Sequence, residues 1–523
     1  MRALLALALL LLAVPARGQG TFTVTTTADD GTGSLRAAMD AANNGGDGST
    51  IRFNIPGPGP HTIRPATNLP RLVRAMTIDG YTQPGATPNT LTAASNAVLQ
   101  VEVFGQGTSQ IGFLAAVDNI TIRGLAIGGF LGGAIAVENG AFAVTGARIE
   151  GNFIGTDASG TVARPNGQFG VALGTGGGHT VGGTAPAAHN VISGNAIVGV
   201  QMSATGSSSA TSAGNQVVGN LIGTQPDGVT PLGNGQNGVA MGCGGRNNLV
   251  QSNAVAFNGT DAVNHSGVRV FSNPSTCAAS FGNRLLGNAV FGNAGPGIDL
   301  TGFPNPDPGD PGDADDGANL GQNAPVLLAT GLAGASVAVT YRVDSAPANA
   351  TYPLRVEVFR ALGGEGAALI GVDTYSAADY AGCGAPPCPK TATFAPAAPL
   401  AAGDAVVATA TDGAGNTSEF TPAPGVVVAG ETGAPLAAGA LLAPAPNPTT
   451  GWTTLRYDLA ESGPVRLAVV DLLGREVAVL AEGARPAGRH EARLDAGRLA
   501  PGVYVVRLTA GLAVEARRLT VAR

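Results

Sequence analysis

The feature that most constrains the fold is a six-residue phrase in which two asparagines flank four residues rich in aliphatics. It occurs as NVISGN (190–195), NQVVGN (215–220), NLVQSN (248–253) and NRLLGN (283–288). A second phrase alternates with it, as GVAL at 170, GVQM at 199, GVAM at 238, GVRV at 267 and GIDL at 297. Self-similarity at such spacings is typical of repeat architectures. Each repeat is therefore expected to carry two short strands separated by Gly- and Asn-rich corners.

A longer duplication supports the repeat. Residues 155–173 and 223–241 match at nine of nineteen positions without a gap, at an offset of 68. The aliphatic positions follow no helical period, which favours a β-solenoid. A left-handed hexapeptide helix would repeat every ~18 residues, and a propeller would show aromatic blade signatures. Because neither fits, we predict an all-β chain that begins with a right-handed parallel β-helix.

The β-helix explains why the asparagines recur. Successive coils stack at about 4.8 Å, so equivalent corner residues lie above one another. Asn tolerates a left-handed backbone at a corner and can donate its amide to the Asn of the next coil, while Gly supplies other positive-φ positions. The coil ends need covering. Residues 31–44 are predicted to form an N-terminal helical cap that buries Leu35, Ala38, Met39 and Ala42.

The N-terminus and the charge balance limit the partners. Residues 1–18 combine an arginine, an apolar run and small residues, which predicts a secretory signal peptide. No later stretch is long enough to predict a transmembrane helix. Without residues 1–18 the chain carries 26 basic and 35 acidic residues, a formal charge of −9, which disfavours nucleic acid and anionic membranes as partners.

Beyond the repeat, residues 326–428 contain strands of period two at short intervals, which predicts an immunoglobulin-like β-sandwich. Residues 429–445 are small, Pro-bearing and aperiodic, and are predicted to be a linker. The four cysteines of an exported chain suggest two disulfides, most simply Cys243–Cys277 and Cys383–Cys388, with free thiols as the alternative.

The start of the repeat region resembles a known group. TADDGTGSLRAAMDAANN (27–44) is similar to the Cys-Ser-Leu-Arg-Glu-Ala-Ile signature of exported bacterial parallel β-helix proteins, with Gly33 in place of the cysteine and Ala37 in place of the glutamate. TIDGYTQPGA (77–86), GNFIGTD (151–157) and GNAGPGIDL (292–300) also resemble that group. The resemblance implies a β-helix domain over residues 19–325 and says little about function.

The last block, residues 446–523, contains three recognisable motifs: Pro446-Asn447-Pro448, DLLGREV (471–477) and LAPGVYVVRL (499–508). Through these motifs it resembles the C-terminal sorting domain of type IX secretion cargo. The resemblance implies a passage through the type IX translocon, removal of the domain and attachment of the protein to surface lipopolysaccharide. The alternative is a further small sandwich of another use.

Candidate catalytic residues are isolated acids and arginines. Polysaccharide hydrolysis needs two or three carboxylates within about 5–10 Å, and lysis needs a base with acids for calcium. The candidates expected on successive coils are Asp118, Arg123, Glu138, Arg148 and Glu150. A charged residue on a strand is more often a solvated face, and neither H-E-x-x-H nor G-x-S-x-G is present.

An acidic stretch near residue 310 is the candidate metal site. Its carboxylates suit calcium, the only cofactor the sequence suggests, and the alternative is a solvated connector bent by prolines. The residues are Asp307, Asp310, Asp313, Asp315 and Asp316.

The predicted function is a secreted or surface-displayed scaffold for adhesion or glycan binding, whose partner is a polysaccharide or a neighbouring surface. The alternatives are a polysaccharide lyase or glycosidase on the same coil, and an inert surface-layer component.

Overall fold

A computed structural model gives the structure of the protein. It describes residues 18–107, 110–138, 140, 142–204, 209–261, 265–272, 278–300, 309–314, 316–333, 335–401, 403–421, 426–427, 441–442, 444, 446–459, 463–471, 475–486, 488–510 and 513–522. The chain forms two compact units. The first unit contains the residues up to 328, 339–400 and 404–427. The second unit contains residues 329–338, 401–403 and 428–523. The predicted signal peptide lies almost entirely outside the described residues.

We call residues 18–300 the parallel region, because its strands form sheets with parallel pairing. Sheet 1 comprises Thr21–Val24, Ser49–Phe53, Met76–Asp79, Thr121–Arg123, Arg148–Glu150, Thr180–Gly182, Gln216–Val218, Leu249–Gln251 and Arg284–Leu286. Sheet 2 comprises His61–Ile63, Val101–Phe104, Ala126–Gly128, Phe153–Ile154, Val191–Ile192, Leu221–Ile222, Ala254–Ala256 and Ala289–Phe291. Sheet 3 comprises Ile111–Ala115, Gly133–Val137, Phe169–Leu173, Val198–Ser203, Val239–Gly242, Val268–Val270 and Ile298–Asp299.

From Met76 onward the chain visits sheets 1, 2 and 3 in the same order, so each circuit adds one strand to each sheet. A short fourth sheet lies between sheets 3 and 1 along the chain and comprises Val144–Thr145, Gly176–Gly177, Ser212–Ala213 and Gly245–Arg246. Three-residue 3-10 turns occur at Gly80–Thr82 and Pro186–Ala188. We call one circuit a layer.

Equivalent residues of successive layers pair in register, and the apolar ones form the core. In sheet 2, Val103 pairs with Ile127, which pairs in turn with Ile154, and each is fully buried. The same holds in sheet 1 for Ile78 and Ile122. One interior row of aliphatics per sheet therefore supplies the burial that stabilises the region.

The N-terminal helix is confirmed. It spans Leu35–Asn44 and buries Leu35, Ala38, Met39 and Ala42, the four residues expected from the sequence. Ser34 caps it, since its hydroxyl accepts the backbone N–H of Ala37 at 3.1 Å. The helix packs against the first two strands of sheet 1, where it covers the start of the parallel region.

Buried asparagines form three columns at the corners between sheets. The first column begins with a histidine and comprises His179, Asn215, Asn248, Asn283 and Asn319. The second comprises Asn152, Asn190, Asn220, Asn253 and Asn288. The third comprises Asn166, Asn195, Asn234, Asn258 and Asn293.

Each column repeats one hydrogen-bond pattern. The Oδ1 atom of Asn220 accepts the backbone N–H of Asn190 at 3.2 Å and its Nδ2–H at 2.8 Å. Asn220 Nδ2 donates in turn to Asn253 Oδ1 at 3.0 Å and to the Val181 carbonyl at 2.9 Å. The predicted stacking of asparagine amides is therefore present. These contacts satisfy backbone groups that the apolar interior would otherwise leave without partners.

Two details differ from the prediction. At most corners the left-handed residue is the one before the column asparagine, for example Gly219 (φ 71°) before Asn220 or Ser252 (φ 53°) before Asn253, whereas left-handed asparagines occur at Asn119, Asn247 and Asn319. In addition, NVISGN joins the second and third columns across sheet 2, whereas the other three phrases join the first and second columns across sheet 1. The same six residues thus occupy two different corners.

The Gly-Val phrase serves the third column. A Cβ at Gly199 would lie 2.9 Å from Asn234 Nδ2, and a Cβ at Gly238 would lie 2.8 Å from Asn258 Nδ2. Glycine is required at these positions because any side chain would displace the column amide, while the following valine fills the core.

The middle region, residues 309–427, contains two further sheets. One has Val326–Ala333, Ser336–Arg342 and Lys390–Phe394, and the other has Glu365–Tyr375, Leu354–Leu362, Ala405–Thr411 and Val426–Val427 in that spatial order. The pairings of the second sheet are antiparallel. A short helix, Ala377–Ala381, and a 3-10 segment, Ala318–Gly321, complete it.

Side chains of the middle region accept hydrogen bonds from N–H groups of the last layer. Asn293, the end of the third column, donates its backbone N–H and its Nδ2–H to the two oxygens of Glu365 at 3.1 and 3.0 Å. Gly287 N–H donates to Glu357 at 2.7 Å, and Leu285 N–H donates to the Thr417 hydroxyl at 3.0 Å. The middle region therefore covers a strand edge that would otherwise be open to pairing.

The C-terminal region, residues 446–522, is described by itself. Its two sheets are antiparallel, with Trp452–Leu459 beside Gly488–Asp495, and with Glu476–Arg485, Gly463–Val470, Gly502–Ala510 and Ala513–Val521 in spatial order. A 3-10 turn spans Ala496–Arg498. Leu455, Leu467, Val506 and Leu519 are among its buried residues. Most of the predicted linker, residues 429–445, lies outside the described residues.

The columns predict a large cost for removing one amide. Replacing Asn220 by alanine leaves the backbone N–H and one side-chain N–H of Asn190 buried without their acceptor, each of which costs about 1–3 kcal/mol. We expect Asn220→Ala to lower the free energy of unfolding by ~3 kcal/mol, measured by chemical denaturation. Gln216→Ala, an exposed change in the same layer, is the control. Equal losses in both variants would contradict the role of the column.

The Glu365 contact predicts a pH dependence. Burial raises the pKa of Glu365 to about 7, although the Asn293 hydrogen bonds oppose that rise. Because the folded protein holds the proton more tightly than the unfolded chain, this residue's contribution to stability is complete below pH ~4.5 and is lost as the pH rises through about 7. We expect the stability difference between the native protein and Glu365→Gln to fall across this window, by ~3 kcal/mol. A difference that is constant with pH would contradict this assignment.

Candidate functional site

A column of charged side chains runs across sheet 1. Arg52 pairs in register with Asp79, Asp79 with Arg123, and Arg123 with Glu150, on four successive strands. The guanidinium of Arg123 lies 2.7 Å from Asp79 Oδ2 and 3.8 Å from Glu150 Oε1. Of the predicted catalytic residues, Arg123 and Glu150 are therefore brought together, with Asp79 as a third member that the sequence reasoning missed.

The electrostatics of this cluster disfavour a basic role for Arg123. The hydrogen bond to Asp79 raises the pKa of Arg123 above its ordinary value, against the effect of its partial burial. The guanidinium is therefore protonated and stabilises the two carboxylates. Tyr81, in the turn after Asp79, donates its hydroxyl to the Gly151 carbonyl at 2.7 Å, and burial raises its pKa as well. The cluster is an ion-pair network in which both acids share one cation.

Of the other three catalytic candidates, Asp118 and Glu138 lie elsewhere, and Arg148 shares the strand Arg148–Glu150 with Glu150. Asp118 Oδ1 accepts the backbone N–H of Thr145 at 2.7 Å and so supports a corner. Glu138 follows the sheet 3 strand Gly133–Val137, and Arg148 lies in register between Thr121 and Thr180 on sheet 1. Within the described ranges, no ion pair connects these three residues with the Arg123 cluster.

His179 is a buried titratable residue that the sequence reasoning did not single out. Its ring occupies the first position of the first column, where Nδ1 accepts the backbone N–H of Ala147 at 3.1 Å. The side chain is fully buried, and this burial lowers its pKa to about 4, although Asp118 and a backbone carbonyl act in the opposite direction. The imidazole is therefore neutral at pH 7 and has a structural role in this position.

The acidic segment divides into described and undescribed parts. Asp307 and Asp315 lie outside the described residues. The Asp310 carboxylate accepts the N–H of Ala314, and Asp313 accepts Gln322 Nε2–H at 2.8 Å and Asn323 N–H at 2.9 Å, while Asp316 is exposed. In the part of the chain that is described, no three His, Cys, Asp or Glu residues are close enough to share a metal. Calcium binding by the whole segment stays a prediction.

Asp313 also lines a polar cavity of about 290 Å³ in the middle region. Asp412 lies in its wall, with the amides of Gln322, Asn349 and Asn416. Asp412 Oδ1 accepts the Asn416 N–H at 2.8 Å, so both carboxylates are held by neighbouring amide donors. No cationic residue lines the cavity among the residues described around it, so its chemistry suits hydroxyl groups rather than anions.

The cysteines agree with the sequence where they are described. Cys383 and Cys388 form a disulfide, as predicted. Cys243 is also disulfide-bonded, and its predicted partner, Cys277, lies outside the described residues. None of the described cysteines is free, so the free-thiol alternative is wrong for Cys243, Cys383 and Cys388.

Comparison with known proteins identifies the C-terminal region. Residues 445–522 match the family described as secretion system C-terminal sorting domain. This match confirms the sorting-domain prediction for the last block. A search of curated proteins found no match for the chain.

Solved structures give only distant similarities. One is the dimeric latent PorU of Porphyromonas gingivalis, with 12% identity and a TM-score of 0.16. The match covers 38% of this chain and 20% of that chain. Others are the BSP domain of a biofilm-associated protein (9%, TM-score 0.15, 38% and 29%) and a chimeric titin Z1Z2 tandem carrying a fibronectin peptide (15%, TM-score 0.14, 38% and 100%). The matched part thus spans less than a third of the first two chains.

The sorting domain defines the location of the protein. The protein is secreted or located at the cell surface, and its C-terminal region interacts with the type IX secretion system. Among the described residues, none of the helices has the length and apolar character needed to cross a membrane.

We predict that His179 makes the stability of the protein sensitive to acid, and that asparagine at this position removes the sensitivity. Because its folded pKa lies below the unfolded value of 6.5, its contribution to stability is present above pH ~6.5 and is lost as the pH falls through about 4. We expect His179→Asn, which restores the column residue, to lose less stability than the native protein between pH 7 and pH 4. The measurement is the unfolding midpoint at both pH values. Equal losses in both proteins would contradict this assignment.

Proposed function

We propose that the protein is a surface-displayed scaffold for adhesion or glycan binding. In this proposal the parallel region is a right-handed parallel β-helix with an N-terminal cap, and the middle region is an immunoglobulin-like sandwich. The cyclic visits to three parallel sheets support the β-helix. The antiparallel sheet and the three-stranded sheet of the middle region support the sandwich.

The observation that carries the proposal is the continuity of the first and third asparagine columns into the middle region. The third column ends on Glu365, and the first ends at Asn319, whose Nδ2–H donates to the Thr417 carbonyl at 3.0 Å. A repeat whose corners are stacked in this way, and whose last edge is bonded to the following region, is a rigid support that is protected from pairing with other strands. Export through the sorting domain would place this support outside the cell, where the lipopolysaccharide attachment expected for such cargo would hold it.

Glycan binding suits the chemistry of the polar cavity in the middle region. The polar cavity of about 290 Å³ offers carboxylates and amides, the groups that bond sugar hydroxyls. It is close to the smallest pockets that bind small molecules, so it would accept one sugar unit rather than a chain. Calcium held by the acidic segment beside it would be a further ligand for such hydroxyls.

The alternative function is a polysaccharide lyase or glycosidase. The observation in its favour is the cluster of Asp79, Arg123 and Glu150 on successive layers. The raised pKa of Arg123 makes it a poor base, so catalysis there would depend on the two carboxylates. An inert surface-layer component is the remaining class.

One experiment separates these classes. The purified chain is incubated with pectins, alginates and plant or algal glucans while unsaturated sugars and reducing ends are followed, and binding to the same polymers is measured in parallel. We expect saturable binding without product. Sustained product that disappears in Glu150→Gln would replace the scaffold by an enzyme, and neither binding nor product would favour the inert component.

A further inference from the structure

A partly exposed aromatic on sheet 2 and two arginines beside it form a cluster away from the charged column of sheet 1. The guanidinium carbon of Arg64 lies 5.7 Å from the centroid of the Phe104 ring, and that of Arg164 lies 5.8 Å from it. Both arginines are exposed, and the ring is partly exposed. Two cations that approach the same ring lie within about 12 Å of each other, where they repel one another.

The ring is held in place by the next layer. A Cβ at Gly129, a residue in the left-handed region (φ 75°), would lie 2.2 Å from Phe104 Cε2, so the ring lies directly on the backbone there. The arginines therefore approach a fixed aromatic surface, to which guanidinium groups are attracted.

Phe104 departs from the repeat. It follows Val103, whose equivalents in the next layers of sheet 2 are the isoleucines 127, 154, 192 and 222. The residues that follow those isoleucines are Gly128, Gly155, Ser193 and Gly223; Ala256 occupies the position in the next layer, and an aromatic returns at Phe291 in the last layer. Five successive layers thus stack with a small residue at this position, so their packing does not require the aromatic ring.

Arg164 departs from the repeat as well. It belongs to the duplicated segment 155–173, and its equivalent in 223–241 is Leu232. The two backbones make the same contacts: Arg164 N–H donates to the Gly155 carbonyl at 2.7 Å, and Leu232 N–H donates to the Gly223 carbonyl at 3.0 Å. Since leucine serves the same loop equally well, the arginine side chain is not needed for the loop conformation.

Neither Arg64 nor Arg164 forms an ion pair with any residue in the described ranges. The nearest acid along the strand, Glu102, accepts the Thr62 hydroxyl and the Ala158 N–H, both at 2.8 Å. This arrangement contrasts with Arg123, which lies between two acids. An anion between the two guanidinium groups would relieve their repulsion and accept their hydrogen bonds.

We propose that Arg64, Phe104 and Arg164 form a binding site for the carboxylate or sulfate groups of an acidic polysaccharide. The proposal rests on the glycan-binding function and names the charge class of the glycan. Guanidinium groups match the planar geometry of carboxylates and also bond tetrahedral oxyanions, and the ring offers an apolar surface to the sugar carbons. On a chain of net charge −7, the site is a local exception that favours acidic polymers at this position.

The test compares three polymers: polygalacturonate, which carries carboxylates, dextran sulfate, which carries sulfates, and uncharged dextran. Binding to the full chain is measured by isothermal titration calorimetry at low and high salt. We expect Arg164→Leu, which copies the second loop, and Arg64→Gln each to weaken binding of at least one charged polymer about tenfold, the loss of one charge-assisted hydrogen bond. High salt should weaken native binding in the same way.

Arg74→Gln is the matched control, since it removes an equal charge from an exposed arginine that already has a partner, Asp47, at 3.9 Å. Unchanged unfolding midpoints in all variants establish that folding is intact. The charged polymer that responds to Arg164→Leu identifies the anion. Equal losses in Arg74→Gln, or no loss in Arg164→Leu and Arg64→Gln, would overturn the site. Binding of dextran alone would overturn the site but leave the glycan function, whereas binding of no polysaccharide in this panel or the wider one would overturn both.

Discussion

The structure depends on one repeated contact, the acceptance of a backbone N–H and a side-chain N–H by the Oδ1 atom of an asparagine in the next layer. The contact is kept while the chain between the layers changes in length. Asn195 and Asn234 are 39 residues apart, and Asn234 and Asn258 are 24 apart, yet the side-chain bonds are 2.8 and 2.9 Å. Loops that leave the corners can therefore vary without altering the stacking, because the columns determine where the chain returns.

A column of this kind cannot end on its own. Its last member presents an N–H and an Nδ2–H that need acceptors, and burying them unpaired would cost free energy. Glu365 supplies both acceptors for Asn293. In addition, Phe359, Val407 and Phe420 belong to the same apolar core as Val290 and Ile298. The parallel region and the middle region are thus joined by polar and apolar contacts, although the sequence changes its rhythm near residue 325.

The sequence predicted what depends on local pattern. The N-terminal helix, the stacked asparagines, the Cys383–Cys388 disulfide and the sorting domain were all accessible from short motifs. The register of the layers could not be predicted, because similar phrases such as NVISGN and NQVVGN occupy different corners. The cluster around Arg123 was therefore only half predicted: Asp79 joins it from 44 residues earlier, and that pairing follows from register alone. Glu365 was missed for the same reason, since nothing near it in sequence indicates a partner 72 residues before.

The division between interior and exterior explains where function can reside in such a protein. Interior positions are occupied by aliphatics, column asparagines and the glycines beside them, and these residues repeat because each layer imposes them on the next. Exterior positions carry no such requirement, so a departure from the repeat there has a cause outside the packing. By this criterion the charged column of Asp79, Arg123 and Glu150 has an explanation within the fold, since each of its charges has a partner of opposite sign on a neighbouring strand. Arg64 and Arg164 carry charges of the same sign and cannot neutralise one another. Leu232, the equivalent of Arg164 in the second copy of the loop, demonstrates that the loop tolerates an uncharged side chain. The exterior charges that lack a partner of opposite sign, and not the repeated interior residues, would therefore determine which ligand this scaffold binds.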